Sequence, residues 1–275
     1  MNLDRFEETL ALILGLVDRL ARDDPAQDTV LENHGTIRER FNRGETLISQ
    51  LPITVRPGYA AEFFYHLLDI LDNSPDLPEP ALRLTESIRS GAISDDEFVR
   101  ASLDDDTRYF ISLGRKYDID LAFLVFVAVY AARPVREPIA ARLLRLVDIS
   151  QWQAGHCPVC SHWPALGLID PNRRRFLWCN CCDTTWQFSR LKCPFCGTDD
   201  QNKLRYLTIN DDESRRVDVC DTCRRYIKHR VGETTCNFDY EHLLTYNLDM
   251  AVARQGYFQE VYAAVRAERG PGHMQ

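Results

Sequence analysis

Four Cys-x-x-Cys pairs lie between Cys157 and Cys223, and they constrain this chain more than any other feature. They are Cys157-Pro-Val-Cys160, Cys179-Asn-Cys-Cys182, Cys193-Pro-Phe-Cys196 and Cys220-Asp-Thr-Cys223. In such a knuckle two thiolates converge on one ion while backbone N–H groups of the turn point at the sulfurs. Eight thiols in this form make two complete tetrathiolate cages. A full cage has no open coordination position, which argues for a structural or electron-carrying site and against a hydrolytic centre.

The pairing has two solutions. Sequential pairing puts Cys157, Cys160, Cys179 and Cys182 on one ion and Cys193, Cys196, Cys220 and Cys223 on the other. Interleaved pairing joins the first knuckle to the third and the second to the fourth. We favour the sequential arrangement, because 18 residues separate Cys160 from Cys179 and 23 separate Cys196 from Cys220. Each interval is long enough for a small ribbon. Metal identity stays open, since S₄ sites hold zinc or iron and spacing does not separate them. A single iron, as in rubredoxin, would make a one-electron centre, with Trp178, Trp186 and Tyr226 as aromatic shields. Cys181 and Cys236 fall outside the pattern and read as free thiols.

All ten cysteines sit in one third of a 275-residue chain. No charged n-region followed by an apolar h-region opens the sequence, so no secretory signal is read. The expected location is the cytoplasm, where thiols ligate metals more often than they form disulfides. Leu121 to Ala132 is the most apolar run, too short to cross a bilayer, and no membrane association is expected.

Residues 1–148 read as a helical domain. Phe6, Leu10, Ile13, Leu14, Val17 and Leu20 recur at helical spacing. Phe63, Phe64, Leu67, Leu68 and Leu71 form a second stripe that starts near Pro57 and ends at Asn73-Ser74-Pro75. Ser94-Asp95-Asp96-Glu97 has the form of a capping box. Further helices are expected over Asp105 to Lys116, Ile119 to Ala132 and Pro138 to Val147. His66 and His242 fall in helical segments without a ligand partner and read as structural.

From about residue 149 to 238 the texture changes to knuckles, turn residues and short β-type runs. These runs are Arg175 to Trp178, Thr185 to Phe188 and Leu204 to Thr208, with Asn210-Asp211-Asp212 as a hairpin turn. A final helix, within residues 239–275, is expected from about Tyr240 to Glu268. The fold class is therefore α+β: a mainly helical N-terminal domain, a rubredoxin- or zinc-ribbon-like module with two tetracysteine sites, and a C-terminal helix.

Formal net charge is −8, which makes nucleic acid a poor default partner. The Arg173-Arg174-Arg175 run, with Arg215, Arg216, Arg224, Arg225, Lys228 and Arg230, invites the opposite reading. Between residues 151 and 236 there are 13 Lys and Arg against 10 Asp and Glu. Two divalent tetrathiolate cages bring that surplus to about one negative charge. The basic residues are thus expected to form a solvated face or a docking surface for an acidic protein. His156 and His162 flank a knuckle that already supplies its thiolates, so they read as surface or supporting groups. No G-x-G-x-x-G, P-loop, G-x-S-x-G or H-E-x-x-H occurs, and no enzymatic activity is expected.

The module closely resembles the formate dehydrogenase accessory protein FdhE family. The resemblance rests on Cys157-Pro-Val-Cys160-Ser-His-Trp-Pro164, Leu177-Trp-Cys179-Asn-Cys-Cys182-Asp-Thr-Thr-Trp186, Lys192-Cys193-Pro-Phe-Cys196-Gly197 and Cys220-Asp-Thr-Cys223-Arg-Arg-Tyr226-Ile-Lys228. It covers about 80 residues, and Leu243 to Tyr257 looks like the family's closing helix. The family usually has glycine after its first knuckle, where this chain has Ser161. Cys181 and Glu241-His242 are further departures.

The resemblance implies a cytoplasmic assembly factor that contacts the catalytic subunit of an exported, molybdenum- or tungsten-dependent formate dehydrogenase. It favours iron over zinc in both sites and carries the ligand role onto the eight knuckle cysteines. A homodimer is compatible with it. The rival from another class is a nucleic-acid-binding zinc-ribbon protein, and the rival from enzymology is a redox enzyme using Cys181 or Cys236.

Overall fold

The computed structural model describes residues 3–31, 33–48, 51–74, 77–208, 213–233 and 237–259. The chain divides into two compact units, residues 1–30 with 52–139 and residues 31–51 with 140–275. The boundary near residue 139 falls inside one long helix.

The first unit is helical. Its elements are α1 (Leu3–Arg22), α3 (Tyr59–Asp72), α4 (Glu79–Arg89), α5 (Asp95–Leu103), α6 (Thr107–Tyr117) and most of α7 (Leu121–Leu144). The stripes read from the sequence are its core: Leu10, Ile13, Leu14, Val17 and Leu20 of α1 are buried, as are Phe63, Phe64, Leu67, Leu68 and Leu71 of α3. The side chain of Phe6 lies outside the described part.

Phe63, Phe64, Phe98 and Phe110 form an edge-to-face chain with centroids 5.1–5.3 Å apart. Each buried ring contributes about 1.5–3 kcal/mol through the apolar area it removes from water. Ser94 caps α5 as expected, its Oγ accepting the Glu97 N–H at 3.3 Å.

Where two helices were expected, over Ile119 to Ala132 and Pro138 to Val147, α7 runs unbroken through Pro134 and Pro138. Each proline removes a helical hydrogen bond and costs about 3 kcal/mol. Burial offsets that cost, because Val127, Ala128, Tyr130, Ala131, Ala132, Val135 and Ile139 are all in the core. Arg136 is buried too, and its guanidinium donates to Ser102 O, Leu103 O and Asp105 Oδ1.

The second unit begins with α2 (His34–Asn42), which has no counterpart in the periodicity reading. Asn33 caps it by accepting the Gly35 N–H. Phe41 stacks on Trp152 with centroids 5.4 Å apart. After the short 3₁₀ turn Ile149–Gln151 come β1 (Leu166–Ile169), β2 (Arg175–Trp178), β3 (Thr185–Gln187), β4 (Leu204–Leu207), β5 (Arg215–Cys220) and β6 (Tyr226–Val231).

These strands form one sheet in the order β3-β2-β1-β6-β5-β4. Each half is an antiparallel three-stranded ribbon, and the parallel β1–β6 pair joins them. The β4–β5 hairpin turn expected at Asn210-Asp211-Asp212 lies outside the described residues.

The closing helix differs from expectation. Two short helices, α8 (Phe238–Leu244) and α9 (Tyr246–Ala253), replace one long one. Thr245 separates them, its hydroxyl turned back onto the carbonyls of Glu241 and His242, a bond that competes with helix continuation. Gly256, with φ of 82°, then turns the chain back, and Phe258 pairs with Arg225 at the sheet end. The expected extension to Glu268 lies outside the described residues from 260 onward.

One face of the sheet is apolar and covered: Val217, Val219 and Tyr226 pack against Leu248, Val252 and Tyr257. Among the described residues no helix is long and apolar enough to cross a membrane.

Candidate metal centres

The knuckles collect into two groups of four sulfurs. One holds Cys157, Cys160, Cys179 and Cys182, the other Cys193, Cys196, Cys220 and Cys223, with the sulfurs of each group within 4.8 Å of one another. This is the sequential grouping. In the first, Cys157–Cys182 is 3.6 Å and Cys160 lies 3.4 Å from both Cys179 and Cys182. In the second, Cys193–Cys223 is 3.8 Å and Cys196–Cys220 is 3.7 Å. A disulfide would need about 2.05 Å. A tetrahedron with metal–sulfur bonds near 2.3 Å has edges of about 3.8 Å. The donor set and its spacing therefore fit one tetrahedral ion per group.

Local backbone repeats from knuckle to knuckle. The first cysteine donates its N–H to the carbonyl five residues on: Cys157 to His162 (2.8 Å), Cys179 to Thr184 (2.9 Å), Cys193 to Thr198 (2.9 Å) and Cys220 to Arg225 (3.0 Å). The residue after the second cysteine is left-handed each time, with φ of 68° at Ser161, 56° at Asp183, 75° at Gly197 and 61° at Arg224. Glycine at this position alone avoids the Cβ strain. Only Gly197 was legible as such a site. The common signal is positional: whatever residue follows Cys-x-x-Cys must accept αL.

The backbone also prepares the sulfurs for negative charge. Val159 donates its N–H to Cys157 Sγ at 3.4 Å. The neighbouring Cys223 thiol, with the backbone N–H groups of Cys196 and Phe195, draws Cys193 down to about 5 against its burial. In the first group burial pushes Cys182 upward, but hydrogen bonds from Cys157, Cys160, Cys179 and Thr184 outweigh it and hold the thiol well below its ordinary value. Each group thus contains one sulfur whose surroundings favour the deprotonated form that metal binding requires.

Burial separates the two groups. All four cysteines of the first are buried, whereas Cys196 is exposed and Cys223 half-buried in the second. A cover accounts for the difference. Leu47 and Ile48 donate backbone N–H groups to Pro158 O (3.1 Å) and Val159 O (2.8 Å), and Thr46 and Ser161 hydroxyls meet at 2.6 Å. The segment around residues 46–48, read from sequence only as part of the helical half, thus lies as a strap along the first knuckle.

Cys181 stays outside both groups, buried, with its thiol 3.6 Å from Asn180 Oδ1. Cys236 lies outside the described residues. His162 leans back on Cys160 O at 3.2 Å. His156 packs edge-on against Trp152 and Trp163, and its burial lowers its proton affinity. The half-buried His242 lies 6.2 Å from Trp178 between ring centroids, and desolvation of its ring, with Lys228 nearby, pushes it well below the ordinary histidine range. Neither His156 nor His162 belongs to a four-sulfur group.

The basic residues divide between solvent and interior: Arg173, Arg174 and Arg224 are exposed, whereas Arg175 and Lys228 are buried. Arg174 pairs with Asp170, Arg215 with Glu241, Arg224 with Asp221, and buried Lys228 with Asp249 at 2.7 Å. Arg175 is buried and donates from Nε to His229 Nε2 at 3.0 Å and from Nη1 to Lys192 O. Arg216 pairs with Asp218 at 2.9 Å. Arg175 and Lys228 are thus withdrawn from the apparent patch, and several of the remaining basic side chains are held in ion pairs at the surface.

No family model matches the chain. Two curated relatives are each 29% identical to it. Protein FdhE homolog of Aquifex aeolicus aligns over 117 residues, 40% of this chain and 41% of its own length. Protein FdhE of Escherichia coli O1:K1 aligns over 111 residues, 38% of this chain and 35% of its own. The chain thus spans about two fifths or less of these relatives' length. The crystal structure of the FdhE protein from Pseudomonas aeruginosa superposes with a TM-score of 0.61 at 20% identity, covering 94% of this chain and 92% of that one. The curated relatives and this shared fold support the FdhE family resemblance read from the knuckles.

Proposed function

We propose that this chain is a cytoplasmic accessory factor in the maturation of formate dehydrogenase, and not itself an enzyme. The observation that carries the reading is the pair of four-sulfur clusters in a chain that shares the fold of an FdhE protein. The partner is the catalytic subunit of an exported, molybdenum- or tungsten-dependent enzyme, as the family resemblance implies. In the same reading the chain has three working parts, residues 1–148, 149–238 and 239–275.

Cys157, Cys160, Cys179 and Cys182 hold one ion, and Cys193, Cys196, Cys220 and Cys223 the other. The resemblance favours iron, which would supply one-electron exchange; zinc is the alternative and would only hold shape. The surroundings of Cys182 and Cys193 favour deprotonation, and the knuckle N–H groups would stabilise the charge of the loaded cage. The reading does not require a homodimer.

The experiment combines a deletion strain with co-purification. Formate dehydrogenase activity should fall on deletion and return with the intact gene, and the tagged chain should retain the catalytic subunit. Unchanged activity together with no retention overturns the proposal. Salt-sensitive retention of DNA or RNA instead would favour the ribbon as a nucleic-acid reader.

A further inference from the structure

The face of the sheet opposite the one packed by Leu248, Val252 and Tyr257 carries a row of charged and polar side chains that the metal sites do not use. Arg175 of β2, His229 of β6, and Arg216 and Asp218 of β5 point to the same side, because Gly167 registers with His229 and Arg216 registers with His229 across the strands. Gly167 makes room for the row: a Cβ there would lie 2.2 Å from the His229 ring. The Arg175 Nε–H to His229 Nε2 bond fixes the imidazole as an acceptor. Burial depresses His229 to about 3, so the ring is neutral at physiological pH.

Above this row lies a cavity of about 210 Å³. It is roughly seven water molecules' share of liquid volume, more than one inorganic anion needs. Its lining contains six basic residues, Arg175, Arg190, Lys192, Arg205, Arg216 and Arg225, against the single carboxylate of Asp218. Cys193 and Cys220 form part of the same wall, and a divalent tetrathiolate cage beside them adds two negative charges. Counting Asp221 as well, which pairs with Arg205, still leaves a surplus of about two positive charges.

Arg175 supplies the sharpest sign. It is 3% exposed, yet its Nη2 has no hydrogen-bond partner among the described residues. Leaving a buried cationic donor unmet costs more than losing an ordinary hydrogen bond. Nη1 is already committed to the carbonyls of Ser189 and Lys192. Phe195, Tyr206, Leu204 and Ile227 add apolar and aromatic wall to the cavity. Arg216 lies over the Tyr206 ring, 4.9 Å from its centroid.

We propose that this cavity is a binding site for a small oxyanionic molecule, a carboxylate or phosphate on an apolar or aromatic body, with Arg175 and Arg216 holding the anionic head. The guanidinium fork suits a planar or tetrahedral oxyanion, and the aromatic wall suits a hydrophobic body. The site lies beside the second four-sulfur cluster, and its proof does not depend on the identity of a protein partner.

The test is calorimetric titration of the intact, metal-loaded chain with benzoate, phenyl phosphate, inorganic phosphate and neutral benzamide. Benzoate or phenyl phosphate should bind saturably, at least tenfold more tightly than benzamide, and the stronger of the two identifies the head group. Inorganic phosphate alone should bind more weakly than phenyl phosphate. Arg216→Gln should weaken binding about tenfold and Asp218→Asn should strengthen it, with metal content unchanged in both. Arg175→Met should abolish binding. If that variant does not fold, the Arg216 and Asp218 pair decides. Absence of saturable binding by both anionic probes, or equal binding in wild type, Arg216→Gln and Asp218→Asn, overturns the proposal.

Discussion

The two four-sulfur clusters share one knuckle geometry but differ in their surroundings. The first is enclosed on all four cysteines beneath the strap of residues 46–48. The second shows an exposed Cys196 and a half-buried Cys223, and opens beside a basic cavity. Knuckle chemistry alone therefore does not set the role of a cage. A buried cage couples metal affinity to the folding of everything around it, whereas an open one can exchange its ion or meet another molecule without unfolding the sheet.

The sharpest way to break this contrast is to remove one ligand from each side. Cys160→Ser should lose one metal equivalent and destabilise the unit heavily, on the order of 10 kcal/mol of coupled binding and folding energy. Cys196→Ser should also lose one equivalent but keep a cooperative melt, only a few kcal/mol lower. A chelator should likewise strip one ion quickly and the other slowly. Metal analysis beside thermal melts reads both, and indistinguishable variants would remove the distinction between the clusters.

A smaller effect tests the row under the open cluster. His229 faces Asp218, Arg175 and Arg216, and its folded value near 3 lies below the ordinary 6.5. Unfolding lets the ring take up a proton below pH 6.5. Its contribution to stability is therefore complete above that pH and is lost as the pH falls toward 3. Between pH 6.5 and 5 the wild type should lose about 2 kcal/mol more than His229→Gln. Parallel stability profiles in that window would show that the ring is not held neutral.

The smallest expected effect compares two knuckle corners. Gly197→Ala forces a Cβ into the left-handed region and should cost about 1 kcal/mol. Ser161→Gly relieves the same strain but loses the Thr46 hydroxyl contact, so its melt should stay within about 1 kcal/mol of wild type. A large loss at Ser161→Gly would mean that the strap bond dominates the corner's geometry.

Much of this was legible beforehand. The stripes of α1 and α3 were readable because helical periodicity marks a buried face, and Ser94 because its cap is local. The eight cysteines were readable because two ligands of each pair are neighbours in sequence. The closing helix was misread because apolar spacing does not register the Thr245 side-chain bond. The division of α7 at its prolines failed because local propensity weighs a lost hydrogen bond but not the surrounding core. Composition counts the charges of the basic run but does not show that Arg215 and Lys228 meet Glu241 and Asp249, 26 and 21 residues further on.

The sequence by itself determined the chemistry: the cysteine pairs, their turn geometry, the helical half and the resemblance to one family. Those features depend on residues a few positions apart, where bond geometry leaves few choices. Tertiary structure decided the fusion of two ribbons into one sheet, which cage is covered, and which arginine is left with an unmet donor. Such outcomes depend on contacts such as Leu47 with Pro158, Gly167 with His229, and Gly155, where a Cβ would fall 1.8 Å from Pro194 O. No local pattern encodes them, because long-range packing brings those atoms together only once the chain has folded.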